Sequence, residues 1–149
     1  MGTCSTVVAC VCRTSEKYTP RVVEWMARQV KANIRTPHLF QCLTNEPDKM
    51  PGGVALEHDW PRWWPKLELF RPGRWPDGIT VLYLDMDAVL LGPLQVPAPP
   101  PAGGLGMLKF GTNWYAPMGS GVMLWRTPLT IPYEWFLPVA DETLSLIHI

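Results

Sequence analysis

Two carboxylates two residues apart, Asp85 and Asp87, stand inside the stretch Val81-Leu82-Tyr83-Leu84-Asp85-Met86-Asp87-Ala88-Val89-Leu90-Leu91-Gly92. β-favouring apolar residues precede them and a second apolar run comes after. On a regular strand, side chains at i and i+2 share a face. At the end of a strand, where the chain turns, they can converge just beyond the sheet, which is where open α/β sheets bind their ligands. Two hard oxygen donors at that point suit Mg²⁺ or Mn²⁺, ions usually held by one or two carboxylates together with substrate phosphates. Asp is also a common turn residue. Here, however, the pair interrupts an apolar run, and charged groups are seldom left unpaired in a core. A metal or phosphate role is the favoured reading.

The elements that must carry such a pair can be read along the chain. Thr6 to Cys12 (TVVACVC) is a nearly continuous apolar, β-branched run, the pattern of a strand buried on both faces. Arg13 to Thr19 is a polar loop, and Pro20 opens a helix at a position where proline is favoured. Val22, Val23, Trp25, Met26 and Val30 give that helix an apolar stripe. His38 to Leu43 predicts a second strand and Val54 to Leu56 a short third one. Lys66 to Phe70 predicts a short helix after the Trp60-Pro61-Arg62-Trp63-Trp64-Pro65 stretch. Pro72-Gly73 and Pro76-Asp77-Gly78 are turn signals that lead into the strand ending at the acid pair. Val96 to Pro101 has the composition of a polyproline-like linker, with Gly103-Gly104 allowing a bend. Leu105 to Phe110 and Val122 to Trp125 predict two further strands. Strands alternating with helices indicate a single α/β domain with a mainly parallel sheet.

Composition narrows the function classes. The formal net charge is zero, so neither a nucleic-acid tail nor a polybasic membrane patch is indicated. No apolar run approaches the roughly 20 residues of a membrane span, and no secretory signal pattern opens the chain. Cys4, Cys10, Cys12 and Cys42 show no CxxC spacing, so free buried thiols in the reducing cytoplasm are expected. The 17 Pro and 8 Trp imply much loop structure and several aromatic surfaces; Trp-rich loops suit stacking on sugars or bases, although most Trp residues are simply buried. The final six residues, Leu144-Ser145-Leu146-Ile147-His148-Ile149, read like a translated sequencing-library adapter. The expectation is therefore a natural frame cut near Thr143, with residues 1–143 forming one incomplete domain.

The order of strand, Tyr-containing loop and helix, then Trp63-Trp64-Pro65-Lys66-Leu67-Glu68-Leu69-Phe70, Leu82-Tyr83-Leu84-Asp85-Met86-Asp87 and Gly119-Ser120-Gly121-Val122, resembles the GT-A-fold glycosyltransferases. The resemblance is to the family 8, glycogenin-like branch and its phage and bacterial relatives, and it covers residues 5 to 127. It implies a GT-A-like nucleotide-sugar-binding fold, truncated at its C-terminus. It also implies Mn²⁺ (or Mg²⁺) and the donor diphosphate bound at Asp85 and Asp87, with Asp85 near the ribose. The loop after the first strand would hold the nucleoside, with Tyr18 on the base and Cys12, Arg13 and Thr14 lining the same loop. Lys66 would approach the donor phosphates, and Ser120 and Gly121 the donor sugar; Glu68 reads as structural, with no role in the site. The expected partners are a UDP-sugar and an acceptor of unassigned class, with transfer that retains anomeric configuration. Two departures stand out. Gly119 replaces the usual Asn, and the family's third metal ligand, a later His, corresponds here to nothing but His148 in the adapter-like tail.

Two other readings stay open at this level. A haloacid-dehalogenase-type phosphatase also carries Asp-x-Asp after an apolar strand, with Asp85 as nucleophile and Asp87 as general acid. That motif normally ends the first core strand, whereas here about eighty residues with a βα unit precede it. A binding module without catalysis would account for the missing Asn and His.

Overall fold

The computed structural model describes residues 5–109 and 118–142 of the chain. Cys4, Phe110, and the adapter-like tail with His148 lie outside them. The described chain is an α/β structure built on one six-stranded sheet. In chain order its elements are β1 (Thr6–Cys12), α1 (Pro20–Asn33), β2 (Leu39–Thr44), β3 (Gly53–Ala55), a 3-10 helix over Trp64–Phe70, β4 (Thr80–Leu84), β5 (Leu105–Lys109), β6 (Met118–Arg126) and α2 (Ile131–Phe136). The strand order is β3-β2-β1-β4-β6-β5. Strands β3, β2, β1 and β4 are mutually parallel, while β6 runs antiparallel to β4 and β5 antiparallel to β6. Among the described residues no helix is long and apolar enough to cross a membrane.

Strand β1 sits between β2 and β4, which explains its unbroken apolar sequence. Its alternate residues feed two separate cores. Val8, Cys10 and Cys12 join Val23, Met26 and Val30 of α1 on one face; Val7 and Ala9 join Val81, Tyr83, Trp125 and the aromatic residues around α2 on the other. The thiols of Cys10, Cys12 and Cys42 are free and buried. In α1 the buried stripe is Val23, Met26 and Val30, at i, i+3 and i+7. Trp25, expected in that stripe, is 39% exposed. One hundred degrees per residue turns it away from the sheet.

The crossover from β2 to parallel β3 is unusually short, and two glycines make it possible. Gly52 has φ +61, and a Cβ there would lie 2.3 Å from the Phe40 carbonyl oxygen. A Cβ on Gly53 would lie 2.0 Å from the Pro47 oxygen. Neither approach is open to any other residue.

Several boundaries differ from expectation. The helix expected at Lys66 to Phe70 is a 3-10 helix that starts earlier, at Trp64, with Pro65 in its first turn. Strand β3 begins at Gly53 rather than Val54. Strand β6 begins at Met118, so Gly119-Ser120-Gly121 lies within it. Its register with β5 shifts between Met107, opposite Met123, and Leu108, opposite Gly119. Such an irregularity is where small residues are tolerated inside a ladder. After the Pro-rich segment the chain turns at Gly103, which has φ +80, and the Gly104 N–H donates to the Pro101 oxygen at 2.8 Å.

Candidate functional site

From β1 the chain moves outward to β2 and β3 on one side, then returns to β4 on the other side of β1. The carboxyl ends of β1 and β4 therefore flank a topological switch point, the place where open α/β sheets leave a crevice. A cleft of about 480 Å³ lies there, within the usual size range of small-molecule sites. One wall is the loop after β1, with Cys12, Arg13, Thr14 and Tyr18. The floor is the end of β4, with Tyr83, Asp85 and Asp87. The other wall is Arg62, Trp63 and Lys66.

Local packing sets the acid pair. Strand β4 ends at Leu84, and the Ala88 N–H donates to the Asp85 carbonyl at 2.9 Å, closing a turn. Met86 is buried in the core beneath α1, so the residues on either side of it face outward. Gln29 of α1 pins the chain just past the turn. Its side-chain amide donates to the Ala88 oxygen at 3.4 Å and its side-chain oxygen accepts from Leu90 N–H at 3.0 Å. Asp85 is half-buried and Asp87 is exposed.

Asp85 is the better partnered of the two. Lys66 Nζ lies 3.0 Å from Oδ1 and 3.2 Å from Oδ2. Tyr83, two residues earlier and so on the same face, donates its hydroxyl to Oδ1. Burial first, then the charge of Asp85, pushes the Tyr83 phenol well above its usual range, so it remains a donor. The Asp85 N–H donates to the Gly121 carbonyl at 2.8 Å. Lys66 also reaches the Ser120 hydroxyl at 3.3 Å and its carbonyl at 3.4 Å, and lies 5.0 Å from the centre of the Tyr83 ring. Asp87 makes no ion pair with any described residue.

The β1 loop is held from two directions. Asn45, just past β2, accepts from the Thr14 N–H at 2.9 Å. Arg13 donates to Asp59 from both Nε, at 3.0 Å, and Nη2, at 2.5 Å, linking this wall to the segment before Trp63. Tyr18 is half-buried, and the Ser15 N–H donates to its carbonyl at 3.0 Å.

Of the residues singled out from the sequence, Cys12, Arg13, Thr14, Tyr18, Lys66, Asp85 and Asp87 all meet in this one cleft. Ser120 and Gly121 adjoin Lys66 and Asp85 instead of lining it. The Cys12 side chain is turned into the core, 1% exposed, and burial, then the charge of Cys42, pushes its thiol up to about 12. Cys12 can thus offer the cleft its backbone but not a thiolate. Sequence reasoning passed over other members, Tyr83, Trp63 and Arg62 among them. Tyr83 carried a signal, being i−2 to Asp85 on a strand. Trp63, 60% exposed, and Arg62, with its positive φ of 57, were marked by nothing beyond their Trp-rich stretch.

The donor set fits a hard divalent cation completed by phosphate oxygens and water, since Asp85 and Asp87 offer carboxylates at an open cleft. Among the described residues no group of three His, Cys, Asp or Glu side chains is placed to hold a metal alone. Compared with known proteins, the chain matches no family model, and no curated protein matches it significantly.

Proposed function

We propose that this chain is a metal-dependent glycosyltransferase of GT-A-like fold, moving a sugar from a nucleotide-sugar donor, first of all a UDP-sugar, to an acceptor. One observation carries the reading: three separate chain segments bring Asp85, Asp87, Lys66 and the Tyr18 loop into a single cleft at the switch point of a mostly parallel sheet. In this reading the base rests against Tyr18 and the ribose and diphosphate run toward the end of β4. A divalent cation bound at Asp85 and Asp87 would neutralise charge growing on the departing diphosphate. Lys66 contributes a positive charge on the same side, held in position by Ser120. The motif resemblance adds retention of configuration.

The test is thermal unfolding with and without Mn²⁺ in the presence of UDP, GDP or CMP. A ligand at about 100 times its dissociation constant adds about 2.7 kcal/mol. Stabilisation by UDP that requires Mn²⁺ and disappears in Asp87→Ala is the expected result. A folded protein that no nucleotide stabilises would sink the proposal.

A further inference from the structure

The ion pair at the end of β4 has a consequence for how the site loads. Both oxygens of Asp85 are occupied by Lys66 Nζ, and Oδ1 also accepts the Tyr83 hydroxyl. A Mg²⁺ ion sits about 2.0–2.1 Å from a carboxylate oxygen. An ammonium that stays about 3 Å from those same oxygens would be in strong like-charge contact with it. Lys66 and the cation therefore compete for Asp85. Lys66 also has somewhere to go: the Ser120 hydroxyl and carbonyl are already 3.3 and 3.4 Å away. Asp87, exposed and without an ion pair among the described residues, offers the cation its first contact.

We propose that Lys66 is a resident counter-ion for Asp85 that the divalent cation must displace, so that cation and diphosphate bind cooperatively through one side-chain movement. The inference rests on the metal-dependent reading of the cleft. A diphosphate attracts Lys66 away from Asp85 and so exposes the carboxylate to the cation. By reciprocity, a cation that takes Asp85 releases Lys66 toward the diphosphate. The cation alone binds weakly because it must first evict an ammonium.

The test measures free Mn²⁺ by electron paramagnetic resonance over a titration of the whole chain, without nucleotide. Wild type is compared with Lys66→Met, Lys66→Gln and Lys66→Arg. The two neutral variants are expected to bind Mn²⁺ on the order of tenfold more tightly than wild type, and Lys66→Arg to stay near it, within the usual range of coupling factors. Adding UDP should tighten Mn²⁺ binding more in wild type than in the neutral variants. Neutral variants that bind Mn²⁺ no better than wild type, or not at all, overturn the inference. A second measurement needs no substitution at Lys66. In wild type labelled with ¹⁵N-lysine, the Lys66 ammonium resonance should shift on Mg²⁺ addition and should not shift in Asp85→Asn; an unmoved resonance in Mg²⁺-saturated wild type also overturns it. The two proposals fail separately. If the neutral variants gain Mn²⁺ affinity but UDP never binds, the nucleotide-sugar reading falls and the counter-ion role stands. If UDP and Mn²⁺ bind normally and the variants gain nothing, the reverse holds.

Discussion

The 3-10 helix Trp64–Phe70 supplies a member of each of two carboxylate–cation pairs, and they differ in almost every physical respect. Glu68 is fully buried and bonds Arg74 Nη2 at 3.0 Å, the two side chains being 0% and 5% exposed. Its oxygens also accept from the Glu57 N–H at 2.8 and 3.0 Å and from the His58 N–H at 2.7 Å. Burial, then repulsion from Arg71, pulls the Arg74 guanidinium below its usual range, so Glu68 is the counter-ion that keeps it charged in the core. Lys66 and Asp85, two residues earlier on the helix and at the end of β4, are 18% and 34% exposed and face an open cleft. The first pair is closed, with its lone pairs spent on backbone N–H groups. The second is poised, with alternative partners for its cation and solvent at its edge. The same chemistry serves structure where it is sealed and is free for binding where it is not.

The most direct challenge to this contrast is to make the same change at both carboxylates. Glu68→Gln leaves Arg74 buried without its counter-ion, an event that costs about 3–5 kcal/mol. For a chain of this size that lowers the melting temperature on the order of 10 °C. Asp85→Asn, at a half-exposed pair, should cost at most about 1 kcal/mol yet remove nucleotide and Mn²⁺ binding. Equal losses of stability at the two sites, by chemical denaturation, would refute the division between sealed and poised. A Glu68→Met, Arg74→Met double variant should recover much of the loss, because replacing a buried pair whole is far cheaper than breaking it.

A smaller effect separates Asp87 from both. It is exposed and makes no ion pair among the described residues, so Asp87→Ala should leave the unliganded protein within about 0.5 kcal/mol of wild type. The same variant should forfeit the roughly 2.7 kcal/mol that saturating UDP and Mn²⁺ would add. Trp63→Ala extends the pattern. At 60% exposure it should scarcely alter the unfolding midpoint, while a lost stacking surface would cost bound nucleotide or sugar about 1–3 kcal/mol, read by calorimetric titration.

The elements that carry both ion pairs were legible in the sequence; the ion pairs themselves were not. Period-2 spacing singled out Asp85 and Asp87 as a pair, and the β-favouring run before them gave the strand that carries them. The βα opening and the buried β1 came from pattern alone. What pattern cannot carry is contact between distant segments. Nothing local to Lys66 says that it will meet Ser120, 54 residues later, or that Arg13 will reach Asp59. Glu68 read as structural, and it is buried in an ion pair, but its partners, Arg74 and the backbone N–H groups of Glu57 and His58, could not be read from the sequence around it. Trp25 sat near the right spacing and still faced outward, since an apolar residue one position off the stripe looks the same in sequence as one on it.

Alkaline titration tests the burial of two side chains at the back of the cleft, Cys12 and Tyr83. The folded state holds Cys12 up to about 12 and Tyr83 higher still, whereas in the unfolded chain they titrate at about 8.5 and about 10. Both groups have raised folded values, so the stability they confer is fully present below about pH 8.5. It is lost as pH rises, because the unfolded chain ionises while the native state cannot. Unfolding free energy should fall steadily from about pH 9 toward pH 12, and Cys12→Ala should make that fall shallower; a flat profile over the range would contradict the burial of these groups.

The smallest effect belongs to the link across the mouth of the cleft. Arg13 and Asp59 are 38% and 84% exposed, and such surface pairs are worth about 0.2–1 kcal/mol. Asp59→Asn should therefore change stability by no more than that, and less as salt is raised. Its effect on binding should nonetheless exceed its effect on folding. The pair ties the β1 loop to the segment carrying Arg62 and Trp63, and loosening it widens the choice of positions that Tyr18 and Trp63 can take. Nucleotide affinity that falls by more than the stability does, with the difference vanishing at high salt, is the expected signature. A loss matched one for one in stability and binding would mean that the bridge holds the fold and does nothing for the cleft.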